Sequence, residues 1–330
     1  MLSPFTEKEM IVRKEWRDMT FRKETFKVCF HTWKCEDTGE EFEDEHFAQL
    51  NYNQVINQYR EKYHIPYPDE IKSIRGKYDL SAIKMSHVLG FGDNTYRQYE
   101  AGEVPTQANA RLIQMAADPS KFLDMIDLSS ALEGSALEKA RHNTEKLIDK
   151  VDKEEIVVRN YLFEGKRRGR FTGFGKPNFE KFVEMIIYFC INQQPWKTKL
   201  NKLLFYADFT FFKEYGISMS GSEYYAIDMG PVPDNFNSIF EHLAKTEQLK
   251  VYNKAFSNGG EGQKYFPVRE FNDKLFEEAE LEILQSINDK FKDFSTQEMI
   301  DLSHEEIGWQ QNSDNPHRPI DYLYAFELKN

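Results

Sequence analysis

The chain has 330 residues, enough for about two domains that each bury a core. Its 30% charged and 40% hydrophobic content excludes a disordered chain. The net charge of −12 leaves room for nucleic acid only where basic residues cluster, and suits a basic protein partner. The most apolar run, FVEMIIYFCI at 182–191, is too short to span a bilayer and carries Glu184. With no secretory signal and an odd count of three cysteines, a cytoplasmic protein without membrane attachment is expected.

In the N-terminal region, Val28, Phe30 and Thr32 alternate with Cys29, His31 and Trp33, and EDTGE at 36–40 supplies a turn. This predicts a small β-hairpin. Cys29, His31 and Cys35 raise the question of zinc, but a structural site needs four ligands, usually as two close pairs, and no second cysteine pair stands nearby. A metal-free ribbon is expected. From Asp44 to Tyr63 the positions of Phe47, Leu50, Val55, Ile56 and Tyr59 predict one helix. HIPYPDE breaks it, and Asp69 is placed to cap a helix through Ile71 and Ile74.

The stretch LSAIKMSHVLGFGDNTYRQYEAGEVP at 80–105 allows two readings. A phosphate-binding loop would need G-x-G-x-x-G or a Walker lysine after a strand, and these are missing. The alternative is a helix capped by Ser81 with Met85, Val88 and Leu89 inward, a tight turn at the glycines, and a second helix from Asp93 to Ala101. That second helix turns Tyr96 inward and Asn94, Arg97 and Gln98 outward. Gly102 stops it, and Pro105 precedes a helix whose Leu112 and Ile113 close the core. Helix, tight turn, helix with a polar outer face is a DNA-reading arrangement. Residues 69–116 carry six Lys/Arg against six Asp/Glu, so the acidity lies elsewhere, and residues 1–35 carry eight against five. A near-neutral module implies modest affinity per copy and a need for dimers.

These residues resemble the Cro/repressor-type helix-turn-helix, and more closely the MqsA-like antitoxins with their N-x-x-x-x-YE-x-G spacing, here Asn94, Tyr99, Glu100 and Gly102. The resemblance implies operator DNA as a partner, with Asn94 at the base-contacting position and Lys84, Asp93, Thr95, Arg97 and Gln98 around it. Gln98 stands where the family carries arginine, which alters the expected operator sequence, since Asn or Gln suits adenine and Arg suits guanine. KCEDTGEEF resembles half of that family's zinc knuckle without its paired cysteines.

Residues 118–177 read as a helical connector ending in a basic loop, EGKRRGRFTGFGKPN, either a solvated connection or an anion contact. Beyond it, Phe179, Phe182, Val183, Ile186, Ile187 and Cys190 share one helical face, and WKTKLNKLLFYADFTFFKEYG is apolar nearly all round, as in a central helix. SMSGSEYYAIDMGPVP reads as strand plus turn, with two prolines in a rigid turn; a helix follows from Asp234 to about Gln248, and then a hairpin with Asn258, Gly259 and Gly260 at its tip. Helices over about 276–291 and 296–302 complete the core.

KLLFYAD, G-x-x-M-S-G, GPVP and LSHEEIGWQQ, in that order, resemble the Panacea, or SocA-like, domain from about Phe179 to Leu328. The resemblance implies a domain that holds a protein toxin or delivers a partner to a protease. It marks Lys202, Tyr206, Asp208, Gly230, Pro231, Pro233, His304 and Trp309 as motif positions, structural or toxin-binding. HEEIGW lacks the second histidine of a zinc protease, no G-x-S-x-G is present, and Cys190 lies on an apolar face. No catalytic residue, metal or cofactor is therefore expected, and Asp208 and His304 are read as satisfying one another. The expected fold is mainly α with small β elements: a β-ribbon and helix (1–66), a helix-turn-helix (67–117), a connector (118–177) and a Panacea-like domain (178–330). The combined reading is an antitoxin that binds a cognate toxin and represses its own operon, as a homodimer or toxin–antitoxin hetero-oligomer. A ligand-responsive regulator and a proteolytic adaptor are the alternatives.

Overall fold

The computed structural model describes residues 1–4, 6–129, 131–149, 157–255 and 261–329. They are mainly helical with three small antiparallel sheets, the α+β class expected. The chain divides into two compact units. One comprises Met1–Met19, Lys27–Val55 and Ile156–Asn330, and the other Thr20–Phe26 and Ile56–Glu155.

The N-terminal ribbon holds the expected hairpin and adds a strand before it. β1 (Ile11–Phe21) and β2 (Glu24–Lys34) are closed by Arg22 and Lys23, both at positive φ, the backbone that lets a two-residue turn follow strand twist. The EDTGE turn, as expected, joins β2 to the two-residue β3 (Glu41–Phe42), which pairs with Trp33 and Lys34. β1 escaped the pattern because its charges follow no strict in–out alternation. α1 (Glu45–Tyr63) buries the five apolar residues predicted for it.

In the second unit, α2 (Pro68–Lys77), α3 (Ala82–Val88), α4 (Thr95–Glu100), α5 (Gln107–Met115), α6 (Pro119–Leu128) and α7 (Gly134–Asp149) surround one cluster that includes Ile71, Met85, Tyr96, Ile113 and Phe122. Two local expectations fail. Asp69 does not cap α2: Tyr67 holds that place, and its N–H is accepted by the Glu70 carboxylate at 2.8 Å. Leu112 is 36% exposed, and Ala110 and Ile113 are the residues of α5 that face inward. Part of the stretch read as connector is packed here, since Phe122, Ile126, Leu132 and Ala140 join the same cluster.

The larger unit is built on α8 (Phe179–Gln193) and α9 (Lys197–Tyr215). α9 is buried on nearly every side because it packs against α8, α11 (Glu278–Phe291), α12 (Thr296–Glu305), the segment Gly230–Pro233 and the C-terminal 3₁₀ helix Tyr322–Glu327. GPVP is a strand and not a turn. Gly230–Pro233 forms β5, pairs with β4 (Tyr224–Ile227), and leaves Asp228 and Met229 as the turn. α10 (Phe236–Lys245) is shorter than expected and buries Ile239, Phe240 and Leu243. β6 (Leu249–Ala255) and β7 (Glu261–Pro267) pair from Leu249↔Pro267 to Ala255↔Glu261, and the tip predicted at Asn258–Gly260 lies outside the described residues. α13 (Ile307–Gln310) follows α12.

Three of the five cations of the basic loop are held by groups of the same unit. Lys166 pairs with Glu223 at 3.1 Å and Asp234 at 2.5 Å, and Arg170 with Asp321 at 3.1 Å. Arg168 donates to the Phe174 carbonyl at 2.5 Å, and Ser218 donates its hydroxyl to the Thr172 carbonyl at 2.6 Å. The loop is folded onto its own unit. No helix among the described residues is long and apolar enough to cross a membrane.

Candidate functional site

Two polar constellations follow from the sequence, and burial separates them. The first lies on α3 and α4. Ser81 caps α3 by accepting the Lys84 N–H at 3.3 Å, and Gly90, at φ +72°, makes the turn. α4 starts at Thr95, later than expected, with Asn94 as its N-cap residue. Tyr96 anchors it from inside: its amide donates to the Ser86 hydroxyl at 3.0 Å and its own hydroxyl to the Ile71 carbonyl at 2.8 Å.

The YE-x-G residues are explained by contacts across the unit. Tyr99 accepts from Asn109 at 2.8 Å. Glu100 takes a two-point bond from Arg75, at 2.7 and 3.1 Å, the geometry in which a guanidinium fixes a carboxylate most firmly. Gly102 has φ +112°, which a side chain rarely adopts. Two arginines that sequence reading missed hold the chain after α4. Arg60, 2% exposed, donates to the Pro66 carbonyl at 2.5 Å and the Gly102 carbonyl at 3.0 Å. Arg22, at the hairpin tip, donates to the carbonyls of Val104 at 2.6 Å and Pro105 at 2.9 Å. The signal for Arg60 was its place on the apolar face of α1, one turn beyond Ile56, where a charge needs internal acceptors.

Lys84, Asn94, Arg97 and Gln98 are exposed, and among the described residues their side chains make no hydrogen bond or ion pair. Thr95 is half-buried, and Asp93 is held by His87 Nε2 at 2.8 Å. Beside the turn, a cleft of about 460 Å³ is lined by residues that include His87, Leu89, Leu112, Met125 and Leu128.

The ribbon's thiols and imidazole do not form a zinc set. His31 Nδ1 donates to the Cys29 carbonyl at 2.7 Å, and burial lowers the ring's pKa to about 4 and raises that of the Cys29 thiol to about 11. Hydrogen bonds, led by that of Ser3, lower Cys35 to about 6. Among the described residues no group of three His, Cys, Asp or Glu is placed to hold a metal ion.

The second constellation is buried in the larger unit. Lys202 is fully buried, its amine donates to the Pro231 carbonyl at 3.0 Å, and burial lowers its pKa to about 7. Asp208, also fully buried, accepts from the Ser220 amide at 2.8 Å, the Ser220 hydroxyl at 2.5 Å and the Tyr224 hydroxyl at 2.8 Å. Burial raises its pKa to about 6 against the pull of those donors. Tyr206 donates to Glu306 at 3.2 Å, and Glu306 also accepts the Lys329 N–H. The expected Asp208–His304 pair is not formed. His304 stacks on Trp309 with ring centroids 3.9 Å apart, while Trp309 donates to the Ile227 carbonyl at 2.9 Å. Gly230 sits at φ +92°, where a Cβ would strike the Ser303 hydroxyl and come within 2.7 Å of Lys202 Cε. Pro231 and Pro233 are buried beside it in β5.

These side chains tie β4, β5, the 218–222 loop and the C-terminal segment to α9. Such a network stabilises a scaffold, and none of its fully buried members meets solvent.

No curated protein and no solved structure matches the chain. One family model, described as antitoxin SocA-like, Panacea domain, matches residues 200–310, from within α9 to the end of α13. That span contains every motif residue from Lys202 to Trp309 and is narrower than the expected 179–328. Residues 200–310 are thus similar to the SocA-like Panacea domain.

Proposed function

We propose that the protein is an antitoxin that binds and neutralises a cognate protein toxin through its Panacea domain, and represses its own operon through the α3–α4 helix-turn-helix. The observation that carries the first half is the family match over residues 200–310. Lys202, Tyr206, Asp208 and Gly230 act as framework in this reading, because fully buried groups cannot touch a partner. The toxin meets the exposed side chains that the framework holds in place. A net charge of −12 favours a basic toxin, and affinity for such a toxin falls as salt rises.

The second half is supported by Lys84, Asn94, Arg97 and Gln98, four outward polar side chains without partners among the described residues. Desolvating such groups is repaid when they meet base edges and phosphates. The experiment that tests the whole reading is co-expression with the product of the adjacent gene. The neighbouring product alone arrests growth, co-expression restores it, and the two proteins purify together. Growth that stays arrested beside a well-expressed antitoxin removes the reading.

A ligand-responsive regulator has one observation in its favour, the cleft of about 460 Å³ that includes Gly90 of the turn before α4. A metabolite bound there would touch the turn directly. A small molecule that raises the melting temperature and changes operator affinity together would favour it.

A further inference from the structure

β1 is an edge strand. Its inner edge pairs with β2, and among the described residues no backbone group pairs along its outer edge. An unpaired edge of 11 residues is a template for another strand, and natural proteins usually blunt such edges with charge. Here the charges have a particular order: Arg13, Lys14, Glu15, Trp16, Arg17, Asp18.

Antiparallel pairing of this strand with its own copy about a two-fold axis at Trp16 places Lys14 opposite Asp18, Glu15 opposite Arg17, and Trp16 opposite itself. Each charged pair is complementary and occurs twice. Centring on Glu15 instead sets Glu15 against Glu15 and Arg13 against Arg17. Centring on Arg17 sets Arg17 against Arg17. The same charges therefore favour one register and oppose its neighbours.

The unpaired state of the single chain agrees with this. Lys14 and Asp18 are exposed and make no hydrogen bond or ion pair among the described residues. On the other face Arg17 already holds Glu15 at 3.1 Å and Glu41 at 3.5 Å, so a second copy would close a ring of alternating charge. Trp16 is 38% exposed, with Ile11 at 47% and Val12 at 43% along the same strand. Trp16 is held from inside by an edge-on contact with Phe326, 6.5 Å between centroids, and by the Lys27 amine over its ring.

We propose that the protein forms a two-fold homodimer by pairing the outer edge of β1 with that of a second copy, in the register centred on Trp16. This does not rest on toxin binding or on operator binding. The dimer joins two three-stranded sheets into one, with Arg13–Met19 of each copy as the central strands.

Sedimentation of the full chain over a concentration series tests it. The native chain sediments as a dimer. Lys14→Asp alone and Asp18→Lys alone each set like charges opposite one another twice, and each weakens the dimer about tenfold. The two substitutions combined restore it. Both positions are exposed, so circular dichroism unchanged from the native chain is expected for all three variants. Trp16→Cys gives an intermolecular disulfide on mild oxidation because residue 16 faces its own copy, whereas Asp18→Cys does not. The three native cysteines are buried and do not compete. A native chain that remains monomeric throughout, single swaps that leave the dimer unchanged, or Trp16→Cys that crosslinks no better than Asp18→Cys each overturns the proposal.

Discussion

α4 and α9 both carry polar residues inside recognisable motifs, and they use them in opposite ways. On α4, Arg97 and Gln98 stand in solvent with no partner among the described residues, while Tyr96 and Tyr99 do the anchoring from the buried side. On α9, Lys202, Tyr206 and Asp208 are fully buried, and each is bonded to an element distant in sequence. A polar motif residue on an exposed face is free to meet a partner. Enclosed by a core, the same type of residue is committed to the fold, because an unsatisfied buried polar group costs about 1–3 kcal/mol. The difference is one of burial and not of residue type.

Three variants break or sharpen that contrast. The largest effect is expected for Gly230→Ala, which combines a disfavoured backbone with a side chain that collides with Ser303 and Lys202. A loss of about 3 kcal/mol or more is expected from the two terms together, read as a lower denaturation midpoint for the larger unit. A midpoint within error of the native chain would show that β5 yields easily and is not the rigid element described.

Next comes the α4 side. Asn94→Ala combined with Arg97→Ala should weaken binding to DNA from the protein's own promoter by about tenfold or more, from the typical 1–3 kcal/mol of a good base contact. The unfolding midpoint and toxin binding should stay as they were, since both side chains are exposed. Normal gel shifts by this variant would mean that α4 is not the reading helix.

The third variant concerns Lys202. Its folded pKa of about 7 lies below the usual lysine value of 10.5, so between those values the unfolded chain binds more protons than the folded one. Stability contributed at this site therefore rises with pH from about 7 to 10.5. Lys202→Met, similar in length and uncharged, should flatten that rise in urea titrations at pH 7, 8.5 and 9.5. An unchanged slope would place the effect at another group.

Much of this was legible in the sequence. Periodicity located α1, α8 and α9, Ser81 announced the start of α3, and Gly102 announced the end of α4. These depend on residues within a turn or two of each other. The failures have a common cause. GPVP looked like a turn because two prolines stiffen a backbone, yet its pairing with Tyr224–Ile227 makes it a strand. Asp208 and His304 looked like partners because both are polar and both lie in the motif set. Their true neighbours are Ser220 and Tyr224 for one and Trp309 for the other. Leu112 looked like core because Ile113 beside it is core, and one residue is a 100° rotation on a helix.

The sequence by itself therefore located most of the helices with their buried faces and pointed to the Panacea motifs, because helix period acts over a few residues. Only the tertiary structure decided which polar side chains are committed. The donors and acceptors that settle Arg60, Glu100, Lys202, Asp208 and Glu306 arrive from chain segments between 6 and 100 residues away. It also decided that, among the described residues, the outer edge of β1 is left unpaired, which depends on where β2 lies and not on what β1 contains.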